Sequence, residues 1–262
     1  MIVFPNAKIN IGLNVIEKRQ DGFHNIESCF FPIPWKDALE VVEAGSFSFS
    51  SSGIAIPGTT NIVELAYNLL RDKYNLPPIA VHLHKNIPIG AGLGGGSADG
   101  AFMLSLLNQL FKLSLSNEQL KEFAGKLGSD CPFFIDNKPA FVEGTGNIFS
   151  SINLDLSGNY LAVNYPDIHV DTASAYKNLV PAKPEFSLKS ILEAKALNEW
   201  AGLVKNDFEK NADPEIIKVR EELYQRGAIY ASMSGSGSAV YGIYKKMPDL
   251  NNMPGTISIF KL

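Results

Sequence analysis

The chain has 262 residues, 23 lysines and arginines against 27 aspartates and glutamates, and a formal net charge of −4. With 45% apolar and 19% charged residues it is neither disordered nor fibrous, and it is long enough to bury the core of one or two domains. The slight acidity excludes a dense basic field for nucleic acid or an anionic membrane, two cysteines and four histidines supply neither a disulfide framework nor a credible zinc site, and no apolar run approaches a membrane span.

The N-terminus lacks a charged leader followed by an apolar run, so a soluble, cytoplasmic protein with small-molecule partners is expected. Neither nucleic acid nor membrane is expected as a partner, and the oligomeric state is open. From Ala7 to Val15 the chain alternates, Ala7, Ile9, Ile11, Leu13 and Val15 one way and Lys8, Asn10, Gly12 and Asn14 the other, which predicts a half-buried strand. Asp21-Gly22 signals a turn, and Phe23 to Phe31 returns as a second strand. Asn61 to Tyr74 reads as an amphipathic helix opened by an Asn-x-x-Glu capping box and stopped by Pro77-Pro78.

Ile79 to Lys85 alternates as a short strand. A glycine-rich run follows, then an apolar helix from Ser97 to Phe111 and a helix from Ser116 to Leu127-Gly128. The polar stretch from Asn147 to Asn159 suits a boundary, giving expected domains 1–157 and 158–262. Beyond it come a strand at Tyr160 to Asn164, helical stretches at Thr172 to Leu179 and Leu188 to Leu203, and a helix from Asp213-Pro214 to Gly227. Strands Ala228 to Met233 and Ala239 to Tyr244 flank Ser234-Gly-Ser-Gly-Ser238. This irregular mixture predicts an α+β fold.

The strongest chemical signal is Pro88-Ile-Gly-Ala-Gly-Leu-Gly-Gly-Gly-Ser97-Ala-Asp-Gly-Ala101, with six glycines in fourteen residues between a strand and a helix. Such a run brings backbone amides close to one point, and the helix start adds positive potential, which suits phosphate. Flexible linkage and close packing are the alternatives. Gly90 to Gly95 matches G-x-G-x-x-G, but the acidic residue a dinucleotide needs about 20 residues on is replaced by a helix start at Ser116. The Gly-Lys-Ser/Thr ending of a Walker A loop is also missing.

Pro-x-x-x-Gly-Leu-Gly-Gly-Gly-Ser closely resembles the phosphate loop of the galactokinase, homoserine kinase, mevalonate kinase and phosphomevalonate kinase (GHMP) superfamily. Ala7-Lys8-Ile9-Asn10 and Ser234-Gly235-Ser236-Gly237-Ser238 fit the same superfamily in the same order. Asp21-Gly22-Phe23-His24 and Leu127-Gly-Ser-Asp130-Cys-Pro132 resemble the branch whose members phosphorylate a 4-diphosphocytidyl-linked methylerythritol. The resemblance spans residues 7 to 238. It implies a two-domain GHMP-kinase architecture, with a ribosomal-protein-S5-domain-2-like N-terminal ATP-binding domain, a ferredoxin-like C-terminal substrate-binding domain and the site in the cleft between them.

The implied reaction moves the γ-phosphoryl group of ATP, with Mg²⁺, to the 2-hydroxyl of that alcohol, in the non-mevalonate route to isoprenoids. The catalytic pair is then Asp130, as base, and Lys8. Asp130 follows a helix end beside Cys131, Pro132, Phe133 and Phe134, where partial desolvation makes a carboxylate more basic; capping the next turn is its alternative duty. Lys8 shares the polar strand face with Asn10, where an ammonium serves developing phosphoryl charge. ATP binding falls on Pro88, Gly90, Ala91, Gly92, Leu93, Gly94, Gly95, Gly96, Ser97 and Ala98, with Lys85 and Asn61, the last also a helix cap. Substrate binding falls on Asn10, Phe23, His24, Tyr176, Gly235, Ser236 and Gly237, the cytosine lying between Phe23 and Tyr176 and its edge read by His24. Metal ligands are left unassigned.

Two positions depart from the common pattern of that branch: Phe23 stands where tyrosine is usual, and Ala98 where many members carry a second serine. The rivals are a mevalonate- or homoserine-kinase-like enzyme, disfavoured by Asp-Gly-Phe-His and the short chain, and an inactive nucleotide-binding relative, disfavoured by retention of both Lys8 and Asp130. A dehydrogenase fails on the missing acidic residue.

Overall fold

The computed structural model describes residues 1–58, 60–177 and 179–262. In chain order the elements begin with β1 (Ile2–Val3), β2 (Asn6–Lys18), β3 (His24–Lys36), β4 (Ala38–Glu43), β5 (Ser48–Gly53), α1 (Ile62–Tyr74), β6 (Ile79–Lys85) and α2 (Gly95–Leu110). They continue with α3 (Asn117–Leu127), α4 (Phe133–Asp136), β7 (Ala140–Glu143), β8 (Ile148–Ser151), β9 (Tyr160–Tyr165), α5 (Thr172–Lys177), α6 (Leu188–Ala194), α7 (Pro214–Gln225), β10 (Tyr230–Met233), β11 (Val240–Tyr244) and β12 (Thr256–Lys261). The chain is α+β, and it forms two compact units.

The first unit comprises Met1–Ala7, Pro34–Ile89 and Gly94–Lys138. Its sheet runs β1-β4-β6-β5, with Leu39 opposite Leu83 and Val41 opposite Val81, so both pairs present apolar side chains to one face. Val63, Ala66, Tyr67 and Leu70 of α1 and Met103, Leu104 and Leu107 of α2 bury against them in one cluster. Each fully buried leucine there contributes roughly 1.5–3 kcal/mol. Asn61 caps α1: its Oδ1 accepts the Val63 amide at 2.9 Å, and Glu64 accepts the Asn61 amide at 2.9 Å. The helix stops at Asn75, in the left-handed region at φ 53°, before the prolines are reached. At the end of α3, Gly128 is extended (φ 170°).

The second unit comprises Lys8–Ile33, Gly90–Leu93 and Pro139–Leu262. One sheet runs β2-β3-β7-β8, and the other β10-β11-β9-β12 with all pairings antiparallel. The latter order is that of a ferredoxin-like sheet, and α7 lays Ile216, Val219 and Leu223 over it. Asn147 to Asn159, expected as a boundary, carries β8 and stays inside this unit. Compactness thus divides the chain by interleaved segments, whereas 1–157 and 158–262 divide it by sequence order.

Several elements differ from expectation. Strand β2 is buried on both faces from Asn6 to Leu13, Lys8 and Asn10 included, so its polar face is covered rather than solvated. Of the helical stretch expected near Leu188 to Leu203, α6 ends at Ala194, and beyond it Trp200, 1% exposed, donates its indole N–H to the Lys195 carbonyl at 3.2 Å. Of the helix expected at Thr172 to Leu179, Thr172–Lys177 forms and Asn178 lies outside the described residues.

Candidate active site

The glycine loop is continuous in sequence, but its halves belong to different units. In the second unit, three successive carbonyls are tied back to the protein. Ala91 O accepts from the Ala239 amide at 3.1 Å, Gly92 O from Ser234 Oγ at 2.8 Å and Leu93 O from the Lys8 amide at 2.8 Å. In a trans peptide the next residue's N–H points opposite the carbonyl, so the amides of Gly92, Leu93 and Gly94 face away from these anchors. Gly92, at φ 76°, has no room for a side chain, because a Cβ would lie 2.0 Å from Ser234 O.

In the first unit the loop opens α2. The first intrahelical bond is from the Ala98 amide to Gly94 O at 2.9 Å, which leaves the Gly95, Gly96 and Ser97 amides as the helix's unsatisfied donors. Gly96 is exposed and a Cβ on it would meet nothing, so packing does not require glycine there. The Ser97 hydroxyl meets the buried Cys131 thiol, and burial pushes that thiol up to about 11, keeping it protonated and unreactive at neutral pH. Asp130 stands half-buried in the turn between α3 and α4, with Ser129 Oγ 3.4 Å from its Oδ1.

Around β2 in the second unit lies a buried polar network. Lys8 Nζ donates to Asn10 Oδ1 at 2.5 Å and sits 4.4 Å above the Phe30 ring. Asn10 Nδ2 donates to Ser28 Oγ at 2.8 Å, the Asn10 amide donates to Ser234 Oγ at 3.1 Å, and Tyr241 Oη donates to the Asn10 carbonyl at 2.9 Å. Ser234 therefore joins Asn10 to Gly92. The sequence singled out Gly235, Ser236 and Gly237 of this loop and missed Ser234, which does the joining. Gly235 O accepts from Asn206 Nδ2 at 2.8 Å, Ser236 Oγ pairs with Thr172 Oγ1 at 3.0 Å, and the Gly237 amide donates to Ser234 O at 3.0 Å.

His24 and Tyr176 also meet in the second unit, their rings stacked at 4.8 Å and 19°. Tyr176 in turn packs edge-on against Phe208 at 4.8 Å. Burial, then the nearby Lys18, lowers the His24 pKa, so the ring is neutral at pH 7. Phe23 is 64% exposed. The structure thus pairs Tyr176 with His24 and leaves Phe23 on the surface.

Two expected nucleotide contacts have partners within the protein. Lys85, 3% exposed, gives its ammonium to Asp37 and Asp99, and Asn61 spends its Oδ1 on the cap described above. Burial outweighs Lys85 in setting Asp99, whose pKa is pushed up to about 8. Neither aspartate announced itself in the sequence; only the placement of Asp99 in the first turn of the post-loop helix marked it.

The model for the GHMP kinases N terminal domain matches residues 61–144, and that for GHMP kinases C terminal matches residues 187–253. A Bacteroides fragilis protein named 4-diphosphocytidyl-2-C-methyl-D-erythritol kinase is 50% identical over 262 residues, covering 97% of this chain and 95% of its own. The chain belongs to the 4-diphosphocytidyl-2-C-methyl-D-erythritol kinase family of GHMP kinases. A family member from Azobacteroides pseudotrichonymphae genomovar. CFP2 is 53% identical over 94% of each chain. A crystal structure of a 4-(cytidine 5'-diphospho)-2C-methyl-D-erythritol kinase superposes with TM-score 0.79 at 31% identity, over 93% of this chain and 90% of that one. Methanococcus jannaschii mevalonate kinase superposes at 0.73 with 13% identity and shares the fold alone. Among the described residues no helix is long and apolar enough to cross a membrane.

Proposed function

We infer that this GHMP kinase transfers the γ-phosphoryl group of ATP to the 2-hydroxyl of 4-diphosphocytidyl-2-C-methyl-D-erythritol. The observation that carries phosphoryl transfer is the glycine loop: three carbonyls anchored, the following amides turned the other way, and an exposed glycine at the helix start with room for a ligand. The acceptor follows from family membership over nearly the whole chain. In this reading residues 1–157 carry the nucleotide sites and residues 158–262 complete acceptor binding.

Asp130 takes the proton of the attacking hydroxyl as the new O–P bond forms and the bond to the ADP oxygen breaks. Lys8, oriented by Asn10 and Phe30, offsets charge developing on the transferred group. Tyr176 stacks on the cytosine and neutral His24 reads its edge, which requires the base to enter the present His24–Tyr176 contact. Gly235, Ser236 and Gly237 let backbone approach the acceptor's diphosphate. Among the described residues no cluster of three His, Cys, Asp or Glu forms a cation cage. Mg²⁺ would be held chiefly by nucleotide phosphates, with the Ser97 hydroxyl at the helix start as the protein group nearest to hand, and would neutralise phosphate charge.

The test is incubation of purified protein with ATP, Mg²⁺ and the diphosphocytidyl alcohol, followed by phosphorus NMR and ADP release. A new phosphomonoester is expected. ADP release driven instead by mevalonate or homoserine would reassign the acceptor, and no ADP with any of them would end the kinase reading.

A further inference from the structure

Three charged side chains are buried together in the first unit, at the two stems of the glycine loop. Asp37, Lys85 and Asp99 have side chains 0%, 3% and 2% exposed. Asp37, in the turn after β3, accepts the amides of Asn86 at 2.6 Å and Ile87 at 2.9 Å through Oδ1, and its Oδ2 meets the Lys85 ammonium. That ammonium also donates to Asp99 Oδ2 at 2.7 Å, in the first turn of α2. Residues 85–87 enter the loop and residue 99 lies just past its exit, so this set of bonds connects the stem before the loop to the stem after it. The stems are also in close contact: a Cβ on Gly95 would lie 2.8 Å from Ile87 Cγ2 and 3.4 Å from Lys85 Nζ.

Stability is a poor explanation for this arrangement. Burial outweighs the attraction of Lys85 at Asp99, whose pKa is pushed up to about 8, and Asp99 Oδ1 is buried without a hydrogen-bond partner among the described residues. Buried ion pairs often break even or lose against apolar side chains of the same volume, and an unsatisfied buried acceptor adds its own cost. Directional bonds fix the separation of two backbone segments more narrowly than apolar contact does. Amides aimed at a phosphate need that narrow spacing, because their donor geometry is set by the backbone and cannot adjust by side-chain rotation.

We propose that Asp37, Lys85 and Asp99 form a brace that sets the spacing of the loop's two stems, making Lys85 and Asp99 positioning residues for nucleotide phosphate that act through the loop amides. The proposal rests on the reading of the loop as the ATP site. It changes the expected role of Lys85, whose ammonium is committed to the brace rather than to the nucleotide.

The test variant is Asp99→Ala, which leaves the Asp37–Lys85 pair balanced in charge, with Asp99→Asn as the conservative partner. Calorimetric titration with Mg²⁺ and a non-hydrolysable ATP analogue is run beside thermal unfolding. Asp99→Ala is expected to lose about fivefold or more in nucleotide affinity with an unchanged or raised Tm, and Asp99→Asn to recover to within about twofold of wild type. KM for the acceptor is expected to stay within about twofold in both. Unchanged affinity in Asp99→Ala overturns the brace alone. A variant that fails to fold assigns the cluster to stability and also overturns it. Wild-type protein that binds no nucleotide overturns the reading of the loop, and the brace with it.

Discussion

The two units each bury a lysine, and the two are held in different ways. In the second unit Lys8, 4% exposed, has the Asn10 amide oxygen and the Phe30 ring among its partners, groups that orient an ammonium. In the first unit Lys85, 3% exposed, is met by two carboxylates. A lysine between two aspartates spends its field on the protein. Burial of a cation therefore says little about its task until its partners are known.

The contrast can be broken at several points. The largest expected effect belongs to the proposed base: Asp130→Asn should lower kcat by about 10²–10⁴-fold with nucleotide analogue still bound, seen by steady-state kinetics beside calorimetry. Turnover near wild type would remove Asp130 as base. Next comes the pair of lysines themselves. Lys8→Met should cost about 10²-fold in kcat, while Lys85→Met, which leaves the buried Asp37 and Asp99 without their cation, should cost about 3–5 kcal/mol in urea unfolding. An unchanged kcat in Lys8→Met, or an unchanged unfolding free energy in Lys85→Met, would overturn the role given to that lysine.

Smaller effects sharpen it. Tyr176→Ala should raise the KM for the cytidine acceptor by about 3- to 10-fold, the worth of one aromatic stack, and leave that for ATP alone. The smallest is a slope. Asp99 has a folded pKa raised above its unfolded value, so its contribution to stability is fully present below about 4 and is lost as pH rises through about 8. Thermal unfolding across that window should show wild-type Tm falling relative to Asp99→Asn as pH rises; parallel curves would mean that Asp99 does not titrate there.

Local signals in the sequence placed what depends on local chemistry. The capping boxes at Asn61 and Ser116 form as read, because bonds between residues two or three apart need no tertiary context. The hairpin at Asp21-Gly22 and strand Ile79–Lys85 follow for the same reason. What stayed hidden depends on long-range covering. Alternation marked Lys8 and Asn10 as sharing a face but could not say that Ser28, Phe30 and Ser234 bury it, because period two reports which residues share a side and nothing about what faces it. Strands β4, β5 and β12 carried no turn chemistry strong enough to announce them. The Asp37–Lys85 bond spans 48 residues, a separation at which no spacing rule operates.

The interleaving of the units bears on how the chain is made. It passes from one unit to the other five times, after residues 7, 33, 89, 93 and 138. The first unit is complete once Lys138 has left the ribosome, but Lys8–Ile33 belong with Pro139–Leu262, so the β2–β3 hairpin is synthesised about 100 residues before its neighbour β7 exists. Throughout that interval a two-stranded ribbon of Ile, Val and Phe has an open edge, exposed to chaperones and to other nascent chains. No single cut yields either unit whole, so a truncation meant to isolate one will carry an incomplete piece of the other.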